Sequence, residues 1–142
     1  MTIDLPSFSA CDALVSVMVA VSVSDANIRT SELVAIERMV NHMPVFADYD
    51  VDRIRAVSQT VMSLFEDEDG IDALFGLVRD ALPARLFETA YALACDVAAA
   101  DGRLSDDEAE MLREIRHQLE ISRLHSAAIE LSSQLRHRTL QA

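Results

Sequence analysis

One eight-residue pattern occurs twice in this chain, and the 76-residue offset between the copies commits it to two related helix–loop–helix units. The first copy is Asp25-Ala-Asn-Ile28-Arg-Thr-Ser-Glu32, and the second is Asp101-Gly-Arg-Leu104-Ser-Asp-Asp-Glu108. The offset also holds outside the acids: Ile36 falls on Leu112, Met39 on Ile115, Val21 on Val97 and Asp12 on Glu88. Apolar positions that keep register on both sides of a loop belong to helices that bury their faces together. A middle section separates the two units.

Turn punctuation is scarce. Three glycines and three prolines in 142 residues, with 51% hydrophobic residues, favour long helices around an aliphatic core. Seven helices can be placed. The first runs from about Ser9 to Val23, with Leu14, Val17, Met18 and Val21 on one face. The second starts at Thr30 or Ser31, carries Ile36, Met39, Val40 and Met43, and stops at Pro44. The third follows Asp50 as N-cap and buries Ile54, Val57, Val61 and Leu64. The fourth covers Ile71 to Leu82, and Pro83 opens a fifth that runs to about Ala100. The sixth follows a Ser-x-x-Glu capping box, Ser105 to Glu108. The seventh, after Ser122, shows Leu124, Ala128, Leu131 and Leu135, a spacing that suits a partner helix. No alternating strand pattern appears, and no flexible linker divides the chain. The reading is all-α: one compact domain, residues 1–142, of about seven helices with an internal pseudo-two-fold repeat.

Charge excludes some functions. A formal net charge of −12 repels phosphate backbones and anionic membranes, so the sequence predicts no nucleic-acid partner. It suits solubility, cations or a basic protein partner. All twelve basic residues are arginine. Cys11 and Cys95 form no Cys-x-x-Cys pair, so neither a disulfide framework nor a zinc finger is expected, which fits a reducing cytosol. The apolar run Ala13–Val23 lacks a basic flank and falls short of the ~20 residues that span a bilayer. It reads as a buried helix of a soluble, cytoplasmic protein with no direct membrane insertion.

The loops carry the chemistry. Asp101-Gly-Arg-Leu104 followed by Glu108 copies the second half of an EF-hand loop, but the ligand places two and four residues earlier hold Ala99 and Val97. A complete EF-hand is excluded, and two half-loops together could offer more ligands. Capping is the competing account: Glu108 closes a capping box, and Asp106 and Asp107 sit where the helix dipole favours negative charge. Asp96 lies in an apolar helix, so it must face solvent, meet a cation or accept hydrogen bonds. The acidic run Glu66 to Asp69, with Asp72, reads as a solvated loop that also caps the fourth helix, the lesser reading being a weak cation or basic-partner patch. The four histidines lack metal-ligand spacing, and no nucleophile or phosphate-loop motif exists. No catalytic residues are expected, and the chain is not read as an enzyme.

The segment Ala98-Ala-Ala-Asp101-Gly-Arg-Leu-Ser-Asp-Asp-Glu108-x-x-Met111-Leu resembles the hallmark of the TerB-like tellurite-resistance family, and Ser24-Asp25-Ala-Asn-Ile28-x-x-x-Glu32-x-x-x-Ile36 resembles its degenerate N-terminal counterpart. The resemblance implies a bacterial stress-response role, an acidic surface for divalent metal, and protein partners in membrane-associated complexes. It carries over to Asp25, Glu32, Asp101 and Glu108; Asp96 joins them if it faces the same surface. Ala26 stands where the second loop has Gly102, and no His-Pro-Asp motif marks a cochaperone. The expected function is a non-catalytic acidic binding module for divalent cations, protein partners or both, and a homodimer is compatible with it. Carboxylates alone would favour Ca²⁺, Mg²⁺ or Mn²⁺. The alternative is a purely structural interaction domain whose acids are helix caps. Converging carboxylates would favour metal, and a large exposed apolar patch would favour docking.

Overall fold

The computed structural model describes residues 8–24, 30–100 and 102–141. Seven α-helices and no strand occur among them. They are α1 (Ala10–Val23), α2 (Thr30–His42), α3 (Arg53–Leu64), α4 (Gly70–Ala81), α5 (Phe87–Ala98), α6 (Asp106–Gln118) and α7 (Arg123–Arg136). The expected starts and stops hold with small shifts. Asp50 does not cap α3; its carboxylate accepts from the Asp52 backbone N–H and folds the turn before the helix. Pro83 opens a 3₁₀ turn, Ala84–Leu86, so α5 begins at Phe87 instead of at the proline. The run Glu66 to Asp69 is solvent-exposed as read, but the Asp69 side chain makes no capping bond to α4.

Helix α1 is the axle of the fold. Every residue from Asp12 to Ser22 is buried, so the helix has no solvent face, and α2 to α6 all pack against it. A helix that is apolar all round belongs in the centre of a bundle. Its buried serines satisfy themselves: Ser16 Oγ donates to the Ala13 carbonyl at 2.7 Å and Ser22 Oγ to the Met18 carbonyl at 3.2 Å. The helix starts in a capping box, with Ser9 Oγ accepting from the Asp12 N–H and Asp12 Oδ2 from the Ser9 N–H.

The repeat is visible in three dimensions. Helices α2 and α6 stand 76 residues apart end for end, α1 packs on α6 as α5 packs on α2, and α1 and α5 lie against each other. Each unit is then closed by a third helix, α3 on α1 and α7 on α5. The matched acids Asp12 and Glu88 do matching work. Asp12 pairs with Arg53 at the start of α3, and Glu88 pairs with His125 at the start of α7.

Candidate functional site

Three regions are candidates: the two acidic loops, the outer face of α7, and a cleft between α5, α6 and α7.

Asp25 and Asp101 lie outside the described residues, as do Ala26 and Ile28. The other expected ligands are placed. Glu32 and Glu108 occupy the same position of α2 and α6, the third residue in each, and both are 0% exposed. Glu108 Oε1 accepts from the Ser105 N–H at 3.0 Å while Ser105 Oγ accepts from the Glu108 N–H at 3.1 Å, so the expected capping box forms. Asp96 meets a cation of the protein itself: Arg136 Nη2 lies 2.6 Å from Oδ1, and Ser133 Oγ donates to the same oxygen at 2.8 Å. Among the described residues no group of three His, Cys, Asp or Glu side chains is arranged around a common point as metal ligands. Gly102 has φ +77°, the left-handed conformation that favours glycine, which explains that residue in the second motif. The motif leucine is not core: Leu104 is 56% exposed.

Helix α7 is docked inside out. It lies on α5 through Ser126 and Ser133, both buried, with Ile129 packed against the core. The leucines face solvent: Leu124 is 77% exposed, Leu131 52% and Leu135 50%, and Ala128 between them is exposed too. These are the four residues of the spacing read as a partner-helix stripe. Polar anchors allow the inversion. Arg136 binds Asp96, and Glu130 accepts from Tyr91 Oη and from Arg116 Nη1, the latter at 2.8 Å. The helix is therefore held by charges and hydroxyls on α5 and α6, and its apolar stripe is left over.

The third region is a cleft of about 560 Å³ whose lining includes Tyr91, Cys95, Leu104, Arg113, Arg116 and Glu130. Arg116 also lies over the Tyr91 ring, 5.9 Å from its centroid. Burial raises the Tyr91 phenol well above its usual range, helped by its bond to Glu130, so it stays neutral. Burial likewise pushes the Cys95 thiol up to about 12. Neither group is a nucleophile near neutral pH. The sequence reading missed this cleft. Its one signal in the sequence is that Arg113 and Arg116 stand three apart on one face of α6.

Two comparisons come back empty: no curated protein and no solved structure matches the chain. One does not. The family model described as "Tellurite resistance protein TerB" matches residues 11–131, from the first turn of α1 to the middle of α7.

Proposed function

The chain belongs to the TerB family of tellurite resistance, and from that premise we propose that it is a non-catalytic docking module that takes an amphipathic helix of a partner protein along α7. The inverted packing of α7 carries this reading. Exposed leucines in a continuous stripe cost solubility unless something covers them. Their spacing, Leu124, Ala128, Leu131 and Leu135, alternates four and three residues, which is the seam one helix offers another. The electrostatics choose the partner. Helix α7 has one acid, Glu130, and that charge is already met by Arg116. At its two ends Arg123 and Arg138 form no ion pair with any described residue. The complementary partner is a helix with an aliphatic seam edged by acidic residues.

Two labelled synthetic helices with the same leucine seam test this, one edged with Glu and one with Arg. The Glu-edged probe should bind better, and replacing Leu124, Leu131 and Leu135 by Gln should weaken it by about tenfold or more, a loss of ~1.4 kcal/mol or greater. Equal binding of the two probes, or no loss in the variant, would overturn the reading. Sedimentation of the chain alone is the companion experiment. Self-association that disappears in the same variant would assign the stripe to a second copy and also overturn it.

A second reading concerns the acidic loops. The equal and complete burial of Glu32 and Glu108 at matching positions supports loops built to one plan, and divalent-cation binding by Asp25, Glu32, Asp101 and Glu108 is the function proposed for that plan. Asp96 is left out of this set, because Arg136 already meets its charge. Metal-stripped protein should unfold at a higher temperature in Ca²⁺, Mg²⁺ or Mn²⁺ at matched ionic strength, by about 2.7 kcal/mol at a hundredfold excess over the dissociation constant. The shift should vanish in Asp101→Asn. If no ion moves the midpoint, the glutamates act as helix-start residues alone.

A further inference from the structure

We infer that α7 is a releasable arm: it leaves α5 as a unit while α1 to α6 stay folded, and its release uncovers the α5 surface around Tyr91, Cys95 and Asp96. The internal repeat supplies the comparison. Helices α3 and α7 each close one unit, but α3 docks with Ile54, Val57 and Val61 buried, whereas the residues that α7 buries are Ser126 and Ser133. An interface of hydroxyls forgoes the apolar burial that drives docking. Ser133 Oγ donates to Asp96, but Ser126 Oγ has no hydrogen-bond partner among the described residues. A buried hydroxyl left that way favours the open state, in which water meets it.

The rest of the contact is equally loose. Helices α2 to α6 all pack on the axle α1, while α7 lies outside that set and rests on α5. The cleft of about 560 Å³ lies against its inner edge, lined by Glu130, Ser133 and Gln134 of α7 and by Tyr91 and Cys95 of α5, where a settled helix pair would interlock side chains. The ties are polar: Glu88 to His125 at the start, Tyr91 and Arg116 to Glu130 in the middle, and Asp96 to Arg136 at the end. Glu88, His125 and Arg136 are each about half exposed, so the two end pairs compete with water. A 14-residue helix held this way is a cooperative unit of low stability. The hinge is fixed: Leu119 is buried and Ile121 packs on the core, just before Ser122 caps the arm. The inference does not rest on the docking reading, because these ties lie on the face opposite the leucines.

The thiol of Cys95 reports the release. Burial holds it up at about 12, so maleimide labelling of the docked state is slow, and Cys11→Ala leaves it the single thiol of the chain. On that background Arg136→Gln, which unties Asp96, should speed labelling about tenfold or more, the scale of a lost charge-assisted hydrogen bond. Ser126→Ala, which removes the unpartnered hydroxyl, should slow it. Arg53→Met, which breaks the Asp12 pair between α1 and α3, weakens the whole fold away from the arm and should leave the rate unchanged. Amide hydrogen exchange is the second readout: residues 126–135 should share one opening equilibrium and exchange well before α1 does. Three results would overturn the inference: labelling that Arg136→Gln leaves unchanged, labelling that Arg53→Met speeds, which is global unfolding, or protection graded from the C-terminal end of α7, which is fraying.

Discussion

Asp12 shows how a single residue is forced into a role. It lies in the first turn of the axle helix, is fully buried, and must keep its charge satisfied. Arg53 Nη2 lies 2.6 Å from Oδ2, Arg53 Nε 3.0 Å from Oδ1, and Tyr49 Oη donates to Oδ1 at 2.5 Å. Burial pushes the carboxyl up, but the hydrogen bonds from Arg53, the Ser9 N–H and Tyr49, together with the Arg53 charge, outweigh it and hold it below its usual value. The folded state then binds fewer protons than the unfolded one. The resulting stability is complete above the unfolded value of about 3.9 and is lost as pH falls through the lower, folded value. Arg53→Met should cost about 2–3 kcal/mol at pH 7 by leaving a buried carboxylate without its cation. That deficit should shrink in acid as Asp12 takes up a proton, and denaturant unfolding from pH 7 to pH 3 checks both signs. The sequence marks Asp12 as a repeat position and as an acid in a helix's first turn, but not its partners. Its partners lie 37 and 41 residues away, beyond the reach of any local pattern. Asp96 was better posed: its apolar surroundings required a cation or hydrogen bonds, and the structure supplies both.

At the scale of elements, starts and faces were largely legible because they depend on neighbours in sequence. Ser9, Ser105 and Ser122 each cap a helix, at α1, α6 and α7. The Asp50 reading failed because an aspartate ahead of a helix can serve a turn as well as a cap, and only the backbone path decides. The elbow between α3 and α4 was not legible either. A Cβ on Gly70 would sit 2.0 Å from the Leu64 carbonyl oxygen, so the chain needs glycine there for close backbone approach. Gly70→Ala should destabilise by about 2 kcal/mol or more, since backbone rather than a flexible side chain must yield. Gly76→Ala, where nothing lies within 4 Å and the residue is inside α4, should instead stabilise by roughly 0.5–1 kcal/mol. Comparing the two melting curves separates steric need from helix propensity. For α7 the leucine spacing was readable, but the direction it faces was not. That direction is set by Asp96, Tyr91 and Arg116, which hold the polar face inward from other helices.

For the whole molecule the two-unit repeat organises the core, and the acidic excess sets the molecule's field. The acidic excess is carried outside α7, whose one acid is Glu130. Self-repulsion of this charge should make the fold more stable as salt rises from about 0.05 M to 0.5 M, because the Debye length contracts to a few ångströms. A thermal midpoint that falls with added NaCl would show that the ion pairs outweigh the repulsion. The repeat was legible because its register spans a fixed 76 residues, while Asp25 and Asp101 lie outside the described residues. The most direct test of the docking account is one variant read two ways: Leu124→Gln, Leu131→Gln and Leu135→Gln together, with unfolding free energy and affinity for the Glu-edged helix measured on the same protein. The account predicts stability within about 0.5 kcal/mol of the parent for each exposed site, with affinity lost. Collapse of the fold by several kcal/mol, or affinity retained, would contradict it.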